Sequence, residues 1–124
     1  LAPVVPGLTD HEIEAILAAA RDAGATAATQ IVLRLPREVA ELWREWLETR
    51  FPDRAGKVMR RVPEIHGGRD YDAAWGRRMR GEGVHAELMA RRFAAAVARL
   101  GLVQEAPPLR RDLFRQPGEQ LALF

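Results

Sequence analysis

The chain offers no cysteine as a thiolate ligand or nucleophile, and its three histidines, His11, His66 and His85, lie too far apart for metal-ligand spacing. All three read as surface or capping residues. Asp10, Glu12 and Asp22 read as helix-cap and surface charge, and no Ser-His-Asp set or phosphate-cradling glycine loop is present. Three groups of residues can still do chemistry by their placement. Arg34 sits within the apolar run at 31–35, where a buried guanidinium must find a partner. A cofactor carboxylate, a substrate phosphate and a structural acid would each meet that need. Arg69, Arg77, Arg78 and Arg80 fall in a glycine-bounded stretch, 67–83, where they can contact phosphates beside Tyr71 or Trp75 as stacking platforms. A solvated helix packed through Tyr71 and Trp75 accounts for the same residues. At the end of the chain, Gln120, Leu121, Leu123 and Phe124 follow Pro117-Gly118, which cannot continue a helix. They either dock on a partner as an extended peptide or fold back over apolar surface of their own domain.

The elements that position these residues follow from periodicity. Residues 2–5 form a short apolar run closed by Pro6-Gly7, and residues 29–35 a second, rich in branched side chains and closed by Pro36. Both read as strands. Between them Thr9 and Glu12 have capping-box spacing, and Ile13, Ile16, Leu17 and Ala20 share a helical face that ends at Gly24. The opening is therefore a β-α-β unit with parallel strands. From Arg37 the period is helical throughout. Val39, Leu42, Trp43, Trp46 and Leu47 make one stripe, with both tryptophans expected in the core. Ala55, Val58, Met59 and Val62 mark a second helix, residues 71–79 a short one, and residues 84–100 a long one stopped by Gly101.

Length and composition fit one globular domain. Hydrophobic residues make up 48% and charged residues 29%, ordinary values, and no apolar run reaches membrane-spanning length. No signal peptide is visible, so a cytoplasmic location is the expectation, with no membrane partner. Residues 1–53 carry five basic and nine acidic groups, a balance of −4, whereas residues 54–124 carry fourteen and eight, a balance of +6. The second half is the one suited to phosphate, with Arg60, Arg61, Arg91 and Arg92 adding to the arginines above.

The segments A-P-V-V-P-G-L-T-D-H-E-I, A-G-A-T and I-V-L-R-L-P, in that order, resemble the final β-α-β of the radical S-adenosylmethionine barrel. They are most similar to the bacterial branch related to spore photoproduct lyase and described as DNA repair photolyase-like. Further on, W-L-E-T-R-F-P-D-R-A, G-G-R-D-Y-D, G-R-R-M-R-G, R-R-D-L-F-R and Q-L-A-L-F look like that group's C-terminal region. The resemblance implies a helix-dominated α/β fold: the C-terminal part of a partial TIM-like (β/α) barrel, with two parallel strands at about 2–5 and 29–35 and four to five helices. Residues 1–36 would be the terminal β-α-β, 37–106 a helical C-terminal region and 107–124 a tail. Preceding strands are expected to complete the barrel, because two short parallel strands make no stable sheet alone.

The resemblance also implies a DNA-directed enzyme using S-adenosylmethionine and a [4Fe-4S] cluster. Pro6, Gly7, Val32, Leu33 and Arg34 would lie on the cofactor side, at the carboxyl ends of the strands, with Val32 and Leu33 against the adenine. The family's C-x-x-x-C-x-x-C motif is absent, so the cluster ligands and the catalytic centre are expected outside these residues. Gln120, Leu121, Leu123 and Phe124 are similar to the bacterial sliding-clamp-binding peptide, which makes the clamp a second expected partner. A non-catalytic helical module that binds DNA and the clamp is the alternative.

Overall fold

A computed structural model describes residues 1–69, 73, 79–106, 108–110 and 112. Nearly all of the short helix expected at 71–79, and most of the tail, lie outside the described residues. The chain is helix-dominated, as expected. Among the described residues four α-helices carry the regular structure: α1 (Ile13–Asp22), α2 (Val39–Arg50), α3 (Pro52–Glu64) and α4 (Gly83–Arg99). No helix of the described residues is long and apolar enough to cross a membrane.

The two expected strands do not form as such. Their segments run parallel but meet at one isolated bridge, Val4 to Val32, and a second parallel bridge joins Ala27 to Val103. The backbone explains why the first ladder is so short. Val4 N–H donates to the Ile31 carbonyl at 2.9 Å, and Leu33 N–H donates to the Val4 carbonyl at 2.9 Å. The next bond of a parallel ladder would come from the N–H of residue 6, which is proline and has none. On the other edge, Val32 N–H donates to the Met79 carbonyl at 3.0 Å, so this segment is flanked on both sides.

Alternation along the paired segments divides the interior in two. Val4 and Val32 join Ile13, Leu17, Met89, Phe93 and Val97 in a core built on α1 and α4. Val5, Leu33 and Leu35 join Leu47, Ala55, Val58 and Val62 in a second core built on α2 and α3. The order is therefore helix pair, extended pair, helix pair. Ile13, Leu17, Leu47, Val58 and Val62 have no solvent exposure. Each such side chain contributes about 1.5–3 kcal/mol of burial.

Local chemistry sets the helix boundaries. Pro52 opens α3 at its first turn, where the missing N–H costs nothing, and Pro63 is tolerated in the last turn. The strap leading into α4 crosses the end of α3 at Gly81, whose φ is +69° and where a Cβ would lie 3.0 Å from the Ile65 carbonyl. The expected capping box at Thr9 and Glu12 does not form. A 3-10 turn, Asp10–Glu12, precedes α1, and Thr9 Oγ1 turns back to accept Val5 N–H at 3.0 Å. The stripe on α2 is also only half buried. Leu47 is in the core and Trp43 packs partly against it, but Leu42 is 65% and Trp46 44% exposed. Trp46 instead stacks in a surface aromatic row, 5.0 Å from Trp43 and 5.4 Å from Phe51 between ring centroids.

α1 and α4 are also joined by charge. Arg92 donates twice to Glu14, Nε at 2.9 Å and Nη2 at 2.7 Å, a fork that fits both carboxylate oxygens. This hydrogen-bonded guanidinium holds the Glu14 carboxyl below its ordinary value. A depressed carboxylate pKa means that the stabilisation is present above the ordinary value and is lost as pH falls through the folded one. Both side chains are about one-third exposed, which limits the pair to about 0.5–1 kcal/mol. Glu14→Gln is expected to lower the Tm near neutral pH and to approach the wild type as pH falls through the lowered Glu14 value, where both side chains become neutral, as read by thermal unfolding across pH.

Candidate functional site

Function in parallel α/β units collects where the extended segments end, because loops can converge there. In this chain the first such end is the turn at Pro6-Gly7. The Val5 carbonyl accepts from the N–H groups of Leu8, Thr9 and Asp10 at 3.1, 3.0 and 3.2 Å, which winds the backbone tightly. Gly7, with φ +81°, donates its N–H to Asp10 Oδ1 at 3.0 Å. Arg61 fills the space beside it: a Cβ on Gly7 would lie 3.2 Å from the Arg61 Nη1. Gly7, Asp10 and His11 then line a cleft of about 320 Å³ with Arg54, Lys57 and Arg61 of α3.

The second end, after Leu33, is closed by a side chain. His66 is buried, with 2% exposure, and its Nε2 lies 2.7 Å from the Leu33 carbonyl. A carbonyl only accepts, so Nε2 carries the proton and donates. The ring thereby supplies a hydrogen bond to the carbonyl that the proline at residue 6 cannot reach as a ladder donor. His66 Nδ1 is buried with no hydrogen-bond partner. The sequence reading of His66 as a surface or capping residue is thus corrected: only tertiary packing of the turn after α3 reveals its role. His11 and His85 do lie at the surface, and His85 Nε2 stands 3.2 Å from Glu64 Oε2.

A third feature is a cavity of about 340 Å³ between the 29–32 segment, the strap and α4. Val32, Met79 and Phe93 give it apolar walls, and Gln30, Arg80 and Glu105 give it polar ones. Gln30 lines the cavity, and its Oε1 is buried without a hydrogen-bond partner, an acceptor whose desolvation is uncompensated. Sequence reasoning missed Gln30; a polar residue just before an apolar segment was its only signal.

The expected site residues are brought together only in part. Val32 lines the cavity, whereas Leu33, one residue on, is buried in the core of α2 and α3. Pro6 is fully buried behind the Gly7 turn. Arg34 is half-buried and shares the parity of Val32, and among the described residues it makes no ion pair or hydrogen bond. Arg69 and Arg80 are exposed, Arg80 at the cavity. Arg77 and Arg78, and Gln120, Leu121, Leu123 and Phe124, lie outside the described residues. Among the described residues no three of the types His, Cys, Asp and Glu gather to hold a metal.

Comparison with protein-family models, with curated proteins and with solved structures finds no match to this chain.

The His66 bond has a measurable weight. His66→Leu, which leaves the Leu33 carbonyl buried and unsatisfied, is expected to cost about 1–3 kcal/mol in urea unfolding. His66→Gln, whose amide N–H can approach the same carbonyl, is expected to cost less.

Proposed function

We propose that this chain is the C-terminal part of a DNA-directed radical S-adenosylmethionine enzyme of the photolyase-like branch, with the adenosyl end of the cofactor in the cavity beside Val32. Gln30 is the observation that carries this reading. Its buried, unpartnered Oε1 is the acceptor that a purine amino group would satisfy, and Val32 and Phe93 supply apolar walls of the kind that bury a base. Arg34, without a carboxylate partner among the described residues, is suited to the cofactor's carboxylate or to a substrate phosphate. Pro6 and Gly7 shape the turn that ends the first extended segment, and Leu33 anchors the second segment to the opposite core.

The radical chemistry belongs to the cofactor and its [4Fe-4S] cluster. With no cysteine, this chain cannot supply the cluster's thiolates, and its contribution is binding and orientation. A non-catalytic module that binds DNA and the sliding clamp is the second reading, favoured by exposed Arg69 and Arg80 and by the clamp-like Gln120, Leu121, Leu123 and Phe124.

Titration of the chain with S-adenosylmethionine, followed by NMR shifts of the Val32 and Met79 methyl groups, tests the cofactor reading. Saturable shifts that Gln30→Leu weakens about tenfold are expected, the loss of one buried hydrogen bond. Shifts absent from these methyls at millimolar cofactor would leave the non-catalytic module as the better reading.

A further inference from the structure

We propose that the outer face of α3 is a nucleic-acid backbone site, in which Arg54, Lys57 and Arg61 contact phosphates and Arg60 flanks them. The three cations stand at i, i+3 and i+7, one face of the helix, and span about 10 Å along its axis. Phosphates of one DNA strand advance about 3.4 Å each along the duplex axis, so the row matches a short run of backbone.

Two clefts make the row a continuous groove. One, of about 320 Å³, lies toward Gly7 and Asp10; the other, of about 220 Å³, lies toward Arg60, Glu64 and His85. Lys57 and Arg61 line both. The acids in the groove are already engaged, Asp10 by Gly7 N–H at 3.0 Å and Glu64 by His85 at 3.2 Å. The cations are not: the side chains of Arg54, Lys57, Arg60 and Arg61 make no ion pair or hydrogen bond among the described residues. Elsewhere Arg21 pairs with Asp22, Arg91 with Glu87, Arg92 with Glu14 and Arg110 with Asp112, while Arg34, Arg37, Arg50, Arg69, Arg80 and Arg99, spread over other segments, have no side-chain partner among the described residues. Four cations without side-chain partners are thus gathered within two turns of α3, where Arg61 also packs against Gly7.

The opposite side of the same helix selects the class of partner. Ala55, Val58 and Val62 are buried in the core, so α3 has no apolar face to lower into a bilayer. A row of forked and point cations on a fixed helix instead suits a phosphodiester chain, met from solvent. The site lies apart from the cavity beside Val32 and shares with the proposed function only its DNA partner.

Fluorescence anisotropy of a fluorescein-labelled 20-base-pair duplex, across a series of NaCl concentrations, tests the site. Arg54→Gln with Lys57→Gln leaves the Arg61 packing intact and is expected to weaken binding about tenfold or more at low salt and to reduce the log–log salt slope by about 2. Arg21→Gln with Arg91→Gln removes the same charge elsewhere and is expected to leave both nearly unchanged. Equal losses in the two pairs, or no loss in the first, would overturn the α3 site while leaving DNA binding in place. No duplex binding by the wild type at low salt would sink this site together with the DNA direction of the proposed function. Binding to phosphatidylserine vesicles in place of duplex would likewise overturn it.

Discussion

A single constraint organises this molecule: two extended segments must run side by side between helices with almost no sheet to hold them. Their one bridge is Val4 to Val32, with further backbone bonds only at Leu1, and beyond Leu33 the ladder stops because residue 6 has no N–H to extend it. What fixes the segments is burial on both faces. Alternation sends Val4 and Val32 to the α1–α4 side and Val5, Leu33 and Leu35 to the α2–α3 side. A slip of one residue would turn every one of these side chains to the wrong core, so register is set by apolar partition more than by backbone pairing. His66 then ties the turn after α3 to the same segment, and the strap at Met79 closes its other edge.

The same partition determines where polar chemistry is allowed. Ends and edges of the extended pair are the places where the two cores stop, and the polar features gather there. Gln30 precedes the buried run, Arg34 sits within it at a half-buried position, and the Gly7 turn follows the first segment. Charge is distributed with equal economy. Glu14 and Arg92 neutralise each other where α1 meets α4, so that contact is both apolar and ionic. α3 keeps its apolar residues for the interior and its cations for solvent, a division that the helical period imposes once Ala55, Val58 and Val62 are committed to the core.

Much of this was legible in the sequence, and the exceptions have identifiable causes. The spacing of Ala86, Met89, Phe93 and Val97 located α4 and its buried face, and Val58 and Val62 did the same for α3. The run at 29–35 was legible as extended, and its partner as parallel to it. That they would not become strands followed from Pro6 acting as a missing donor, a consequence visible only once the register is known. Thr9 carried a capping signal that its hydroxyl uses instead on Val5 N–H, because the tight turn at Gly7 offers a nearer donor. On α2 the apolar stripe was wider than the core it serves, which left Leu42 and Trp46 at the surface. His66 and Gln30 were not legible, since nothing local distinguishes a buried polar side chain from an exposed one. Arg54, Lys57 and Arg61 were legible as one helical face from their three- and four-residue intervals, but charge at that spacing is also what any solvated helix face carries.

The substitution of a side-chain donor for a backbone one has an evolutionary corollary. Positions 6 and 66, sixty residues apart, are coupled through one carbonyl that belongs to neither. A descendant in which residue 6 regains an N–H can return that carbonyl to the backbone ladder and release residue 66 from selection for a donor. A descendant that keeps the proline must keep a donor at 66 or leave the carbonyl buried and unmatched. The two sites are thus expected to drift together, as a pair of coupled characters, even though the side chain of one has no polar atom and the two residues share no bond.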